Sequence, residues 1–117
     1  MKILVLCDQG NNRSVVVAHH LKYWKHDVIP AGLKTNSPET LIMLCVWADR
    51  IILTEDTQRA EMDRIIPFGV EIPPGTAGKL QLWNIGPDIY PRPFNKELLA
   101  IVRRLMEEHR EEYKDGK

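Results

Sequence analysis

The sequence predicts an open, mostly parallel α/β sheet of four strands with helices on both faces. Short apolar runs alternate with helical stretches four times along the chain, the first run is continuously aliphatic, and no internal repeat or low-complexity tract breaks the order. With 117 residues there is room for one domain, 1–117. A chain of this size can bury roughly two-thirds of its unfolded surface, so neither disulfides nor a structural metal is needed for stability.

Lys2 to Leu6 is the continuous aliphatic run, as expected of a parallel strand covered on both faces. Ser14 to Lys25 follows as a helix, with Val17, Leu21 and Trp24 at helical spacing on one face, and Val28 to Gly32 is a second strand. In Asn36-Ser37-Pro38-Glu39, Ser37 can cap free amides and Pro38 fits the first helical position, so a helix starts there and runs to about Trp47. Arg50 to Thr54 reads as the third strand and Asp56 to Ile65 as the third helix. Pro67 to Gly78 is rich in Pro and Gly and lacks period, which predicts a surface loop. Leu80 to Ile85 is the fourth strand. Asn95 to about Glu112 is a long terminal helix with Leu98, Leu99, Val102 and Leu105 on one face, and residues from Tyr113 onward are expected to fray.

Sixteen Lys and Arg balance sixteen Asp and Glu, so the formal charge is zero. That removes the field expected of a general nucleic-acid binder or a membrane-surface protein, and any anion site must be local. The two cysteines, Cys7 and Cys45, form no disulfide framework and fit a reducing, cytoplasmic setting. The apolar run at the N-terminus is too short for a signal-peptide core or a membrane span. No cofactor is called for, and a monomer or weak homodimer is expected.

Ligands of open α/β sheets bind outside the carboxyl ends of the strands. Cys7 stands at such an end, in Cys7-Asp8-Gln9-Gly10-Asn11-Asn12-Arg13-Ser14, between a strand and a helix. Gly10 relaxes the backbone, so successive N–H groups of Asp8, Gln9, Gly10, Asn11 and Asn12 can turn inward around a tetrahedral oxyanion. The following helix points its positive end at the same spot. Arg13 can fold back and hold two oxygens in a planar fork. The same field favours the ionised sulfur of Cys7, a nucleophile aimed at phosphorus. Ser14 can donate its hydroxyl to that sulfur when it leaves in a second step. The alternative, a polar strand–helix turn around an inert cysteine, leaves the Arg and Ser unexplained.

The loop and its placement resemble the low-molecular-weight protein tyrosine phosphatases, whose Cys-x5-Arg-Ser/Thr loop follows the first strand of a flavodoxin-like sheet. Trp47-Ala48-Asp49-Arg50-Ile51 with Thr54-Glu55 resembles the third-strand region of the short members of that superfamily. Trp83-Asn84-Ile85-Gly86-Pro87-Asp88-Ile89-Tyr90, then Glu97-Leu98, is similar to their fourth strand and acid loop. The resemblance spans nearly the whole chain. It implies a flavodoxin-like three-layer fold and a general acid at Asp88, with Tyr90 where an aromatic flanks the substrate ring. Asp88 also follows a strand end and Gly86-Pro87, where a loop can hold a carboxylate over an anion. Gly10 stands where the family usually has a buttressing Asn, a role open to Asn11 or Asn12. Asn12 replaces a second loop cysteine, Ile89 stands where Pro is common, and Asp8 adds a negative charge to the loop.

The function expected is metal-independent hydrolysis of a phosphomonoester on a phosphorylated protein, above all phosphotyrosine, or on a small aryl phosphate. It would pass through a phosphocysteine on Cys7. An arsenate reductase needs relay cysteines, and Cys45 in a helix is a poor one. A phosphocysteine carrier needs no acid, and a phosphopeptide-binding module needs no Cys, Arg and Asp together. His19 and His20 make no metal-ligand spacing, the tryptophans read as core anchors, and the Arg103-Arg104 to Arg110 cluster, interleaved with Glu, reads as a solvated face.

Overall fold

The structure, a computed structural model, describes residues 1–9, 12–65, 75–87 and 89–114. The expectations for Gly10, Asn11 and Asp88, for residues 67–74 of the Pro/Gly-rich segment and for the last three residues lie outside the described residues.

Four strands, β1 (Lys2–Cys7), β2 (Asp27–Gly32), β3 (Arg50–Leu53) and β4 (Leu80–Leu82), form one all-parallel sheet in the order β2-β1-β3-β4. The helices are α1 (Arg13–Tyr23), α2 (Pro38–Trp47), α3 (Thr57–Ile65), α4 (Lys96–Glu108) and the short α5 (Arg110–Tyr113). This is the flavodoxin-like order. The chain passes from β2 across β1 to β3, so the crossovers diverge around the carboxyl ends of β1 and β3, the place where open sheets of this kind bind ligands.

Strand periodicity divides the core into two layers. Ile3, Val5 and Ile52 face one side of the sheet, where Val16, Val17 and Leu21 of α1 and Leu98, Val102 and Leu105 of α4 pack. Leu4, Leu6, Ile51 and Leu53 face the other, against Leu41 and Cys45 of α2 and Met62 of α3. Each such aliphatic side chain, once buried, stabilises the fold by about 1.5–3 kcal/mol. Pro30 lies in β2 opposite Val5; β2 is an edge strand, where its missing N–H leaves no ladder partner unsatisfied.

The helix starts follow the sequence chemistry. Ser37 Oγ accepts from Thr40 N at 3.2 Å with Pro38 at the first helical position, and Asn95 Oδ1 accepts from Glu97 N at 3.0 Å and Leu98 N at 3.3 Å. The end of α1 is less legible. Lys25 has φ +70°, its N–H donates to Lys22 O at 2.9 Å, and His26 N donates to Leu21 O at 3.2 Å. This is the two-bond helix stop usually built on glycine.

Three differences from the expected elements have physical causes. The regular part of β4 ends at Leu82, although Trp83 N still bonds Leu53 O at 2.8 Å and Ile85 N bonds Thr54 O at 2.9 Å. The terminal helix breaks at His109, whose ring stacks on Trp83 with centroids 4.6 Å apart. Tyr113, expected to fray, is fully buried. Its ring meets Trp83 edge-on, its hydroxyl donates to Gln81 Oε1, and the Trp83 indole N–H donates to that same oxygen at 2.9 Å. The N-terminal amine donates to His26 Nδ1 at 3.1 Å, leaving Nε2–H to donate to the Tyr113 carbonyl. Among the described residues no helix is long and apolar enough to cross a membrane.

Candidate active site

Because all four strands run parallel, the carboxyl ends of β1, β3 and β4 share one edge of the sheet. Cys7 is the last residue of β1, and the loop leaving it is held by the connection that follows β2. Leu33 N donates to Cys7 O at 2.8 Å, Lys34 N to Asp8 O at 2.8 Å, and Thr35 Oγ1 to Gln9 O at 3.1 Å. The approach requires glycine at position 32. A Cβ on Gly32 would lie 2.4 Å from the Gln9 carbonyl carbon and 2.6 Å from its oxygen.

Arg13 and Ser14 open α1 and are fully buried, and Cys7 is 2% exposed. The strand end and the first helical turn meet with Cys7 Sγ 3.0 Å from Ser14 Oγ. The guanidinium of Arg13 reaches across to three other segments. Nη1 donates to Gly86 O at 2.6 Å and lies 3.5 Å from Glu55 Oε2, while Nη2 lies 3.7 Å from Asp8 Oδ2. Nε and Nη2 are buried with no hydrogen-bond partner among the described residues. An unsatisfied buried donor costs about 1–3 kcal/mol, more when charged. Such an edge on a fixed, permanently charged group can receive two oxygens of an anion side by side.

Gly86 has φ +93°, a backbone state that favours glycine and turns its carbonyl toward Arg13. Glu55 is fixed from behind: Gln58 Oε1 accepts from Thr54 N at 2.8 Å and Glu55 N at 3.1 Å, and Thr54 Oγ1 donates to Leu6 O at 2.9 Å. The carboxylate of Asp8 is a quarter exposed and also lies 3.8 Å from Lys34 Nζ, so it bridges two cations at the loop's rim.

The other expected site residues sit as follows. Asn12 precedes α1 without capping it; its Nδ2 donates to Tyr90 O at 2.8 Å, tying the loop to the segment after β4. Tyr90 is 8% exposed and belongs to the core cluster that holds residues of α1 and α4, while its neighbour Ile89 is 70% exposed. Gln9 is exposed at the rim. Cys45 of α2 is fully buried, and burial pushes its thiol up to about 11, against a smaller lowering by Lys79. Among the described residues no three His, Cys, Asp or Glu side chains gather as a metal site.

Sequence reasoning missed Glu55, Gln58, Gly86 and Gly32 as parts of the site. Gly86 carries a turn signal, but its carbonyl's partner lies 73 positions away. Glu55 meets Arg13 across 42 positions, a contact set by strand order rather than by spacing.

No family model matches the chain, and no curated protein matches it significantly. Solved structures do. A Vibrio vulnificus Wzb in complex with benzylphosphonate is 18% identical over 96% of this chain and 95% of that one, with a TM-score of 0.63. The tyrosine phosphatase Wzb from Escherichia coli in complex with sulphate is 15% identical, again over 96% and 95%, with a TM-score of 0.64. The YwlE arginine phosphatase from Geobacillus stearothermophilus is 16% identical over 95% and 94%, with a TM-score of 0.60. The chain has the fold of the low-molecular-weight tyrosine phosphatases.

Proposed function

We propose, for a chain with this fold, that it is a cysteine-dependent phosphatase acting on protein phosphotyrosine without a metal. The carrying observation is the fully buried Arg13, whose Nε and Nη2 have no hydrogen-bond partner among the described residues although Asp8 Oδ2 lies 3.7 Å from Nη2, together with a Cys7 sulfur 3.0 Å from the Ser14 hydroxyl.

In the first step the Cys7 sulfur attacks phosphorus in line. An S–P bond forms as the bond to the leaving oxygen breaks, and Asp88 gives that oxygen its proton. The Nε and Nη2 edge of Arg13 holds two equatorial oxygens, with loop amides from Asp8 to Asn12 around the rest. In the second step Asp88 takes a proton from water, water oxygen attacks phosphorus, and the S–P bond breaks. Ser14 then donates to the departing sulfur. The roles of Asp88 as general acid and of Tyr90 as the aromatic that flanks the substrate ring rest on the sequence argument.

A redox relay through Cys45 is disfavoured by its burial and its raised thiol. Because one structural neighbour is an arginine phosphatase, peptides carrying phosphotyrosine and phosphoarginine belong in one assay with an aryl phosphate, in EDTA. The proposal expects turnover of the tyrosine and aryl substrates, and a loss of about a hundredfold in Asp88→Asn, typical of removing a general acid. An inactive wild type overturns it. Preference for phosphoarginine would keep the cysteine chemistry and replace the substrate.

A further inference from the structure

We propose that Glu55 is a positioning residue that aims the Arg13 guanidinium at the phosphate, a role that rests on the phosphatase reading of the site. A guanidinium is rigid and planar, so fixing one nitrogen sets where the other two point. In Arg13 the fixed nitrogen is Nη1, held by Gly86 O at 2.6 Å and flanked by Glu55 Oε2 at 3.5 Å. The Nε and Nη2 edge is buried and has no hydrogen-bond partner among the described residues, with Asp8 Oδ2 3.7 Å from Nη2. Gly86 O alone leaves rotation about that one hydrogen bond; a second acceptor on the same nitrogen removes it.

Glu55 is itself built to hold still. Its side chain is 17% exposed, and its backbone is fixed by the buried Gln58, whose amide oxygen receives both Thr54 N and Glu55 N. Thr54 in turn donates to the carbonyl of Leu6, the residue before Cys7. The carboxylate at the end of β3 is thereby keyed to the strand that carries the nucleophile.

By charge alone Glu55 works against the site, because a carboxylate beside an anion pocket repels the anion. A pure charge effect and an aiming effect therefore have opposite signs. Asp8 differs: it faces Nη2, on the substrate edge, and has Lys34 Nζ at 3.8 Å as a second partner.

The test measures kcat and KM on an aryl phosphate and the affinity for inorganic phosphate. The variants are wild type, Glu55→Ala and Glu55→Gln, each with Arg13 and with Arg13→Lys. Aiming predicts that Glu55→Ala lowers kcat by about tenfold, the change one charge-assisted hydrogen bond supports, and weakens phosphate binding. Glu55→Gln, which keeps an acceptor, should recover most of both. With Arg13→Lys in place, Glu55→Ala should add less than about twofold, because coupled residues are non-additive. Tighter or unchanged phosphate binding in Glu55→Ala, or full additivity with Arg13→Lys, overturns the proposal. If Glu55→Ala does not fold, Glu55→Asp, whose carboxylate is withdrawn by one methylene, must show the same two losses. If wild type fails to hydrolyse the aryl phosphate, the phosphatase reading falls, and the phosphate-binding arm alone decides whether Glu55 aims Arg13.

Discussion

Replacing Arg13 by Lys keeps the positive charge and removes the fork. In the structure the guanidinium does two things at once. Nη1 binds Gly86 O at 2.6 Å, and the buried Nε and Nη2 edge has no hydrogen-bond partner among the described residues, the edge assigned above to the anion. A lysine ammonium is a single point with three donors, so it cannot satisfy the Gly86 carbonyl and two phosphate oxygens from one position. At least one charge-assisted hydrogen bond is lost, worth about 1.5–3 kcal/mol, which corresponds to roughly 10- to 150-fold in kcat/KM. Steady-state hydrolysis of an aryl phosphate gives that ratio, and thermal unfolding of the same samples separates it from a fold defect. A folded Arg13→Lys protein within about threefold of wild type would refute the assignment of the Nε and Nη2 edge to the anion, since that is less than one such bond supports.

Ser14→Ala removes the hydroxyl 3.0 Å from the Cys7 sulfur; breakdown of phosphocysteine should slow by about tenfold, and rapid-quench kinetics should show a burst of released alcohol. An unchanged kcat without a burst would exclude that role. Gly32→Ala places a Cβ 2.4 Å from the backbone of Gln9, so the loop must shift; a stability loss of about 1–3 kcal/mol with lower activity is expected, and a silent substitution would count against the close approach. Lys25→Gly relieves a left-handed residue at φ +70°, and the strain removed, about 1–2 kcal/mol, exceeds the extra entropy of glycine in the unfolded chain. A rise of a few degrees in Tm is expected, and a fall would contradict the helix-stop geometry.

Much of the fold was legible because local and global signals agree. The aliphatic run before Cys7 is the central strand β1, buried on both faces, and Ser37-Pro38 is the helix start it advertises. What stayed hidden depends on strand order and on distant packing. Nothing local marks Lys25 as a left-handed stop, since the usual glycine is missing. Tyr113 sits among charged residues, and its burial follows from partners distant in the chain, Trp83, Gln81 and His26. The loop from Cys7 to Ser14 predicts an anion site by residue type, but Gly86 and Glu55, which lie against the Arg13 guanidinium, arrive from the segments that follow β4 and β3. Their identities carry no motif on their own.

The central claim is that the Cys7 sulfur takes the phosphoryl group. Acid quenching during turnover of an aryl phosphate in EDTA, followed by peptide mass analysis, tests it most directly. The account predicts a phosphoryl group on the peptide that carries Cys7, none on the peptide that carries Cys45, and neither adduct nor turnover in Cys7→Ser. Turnover by Cys7→Ser, or a phosphoryl group found elsewhere, would contradict it.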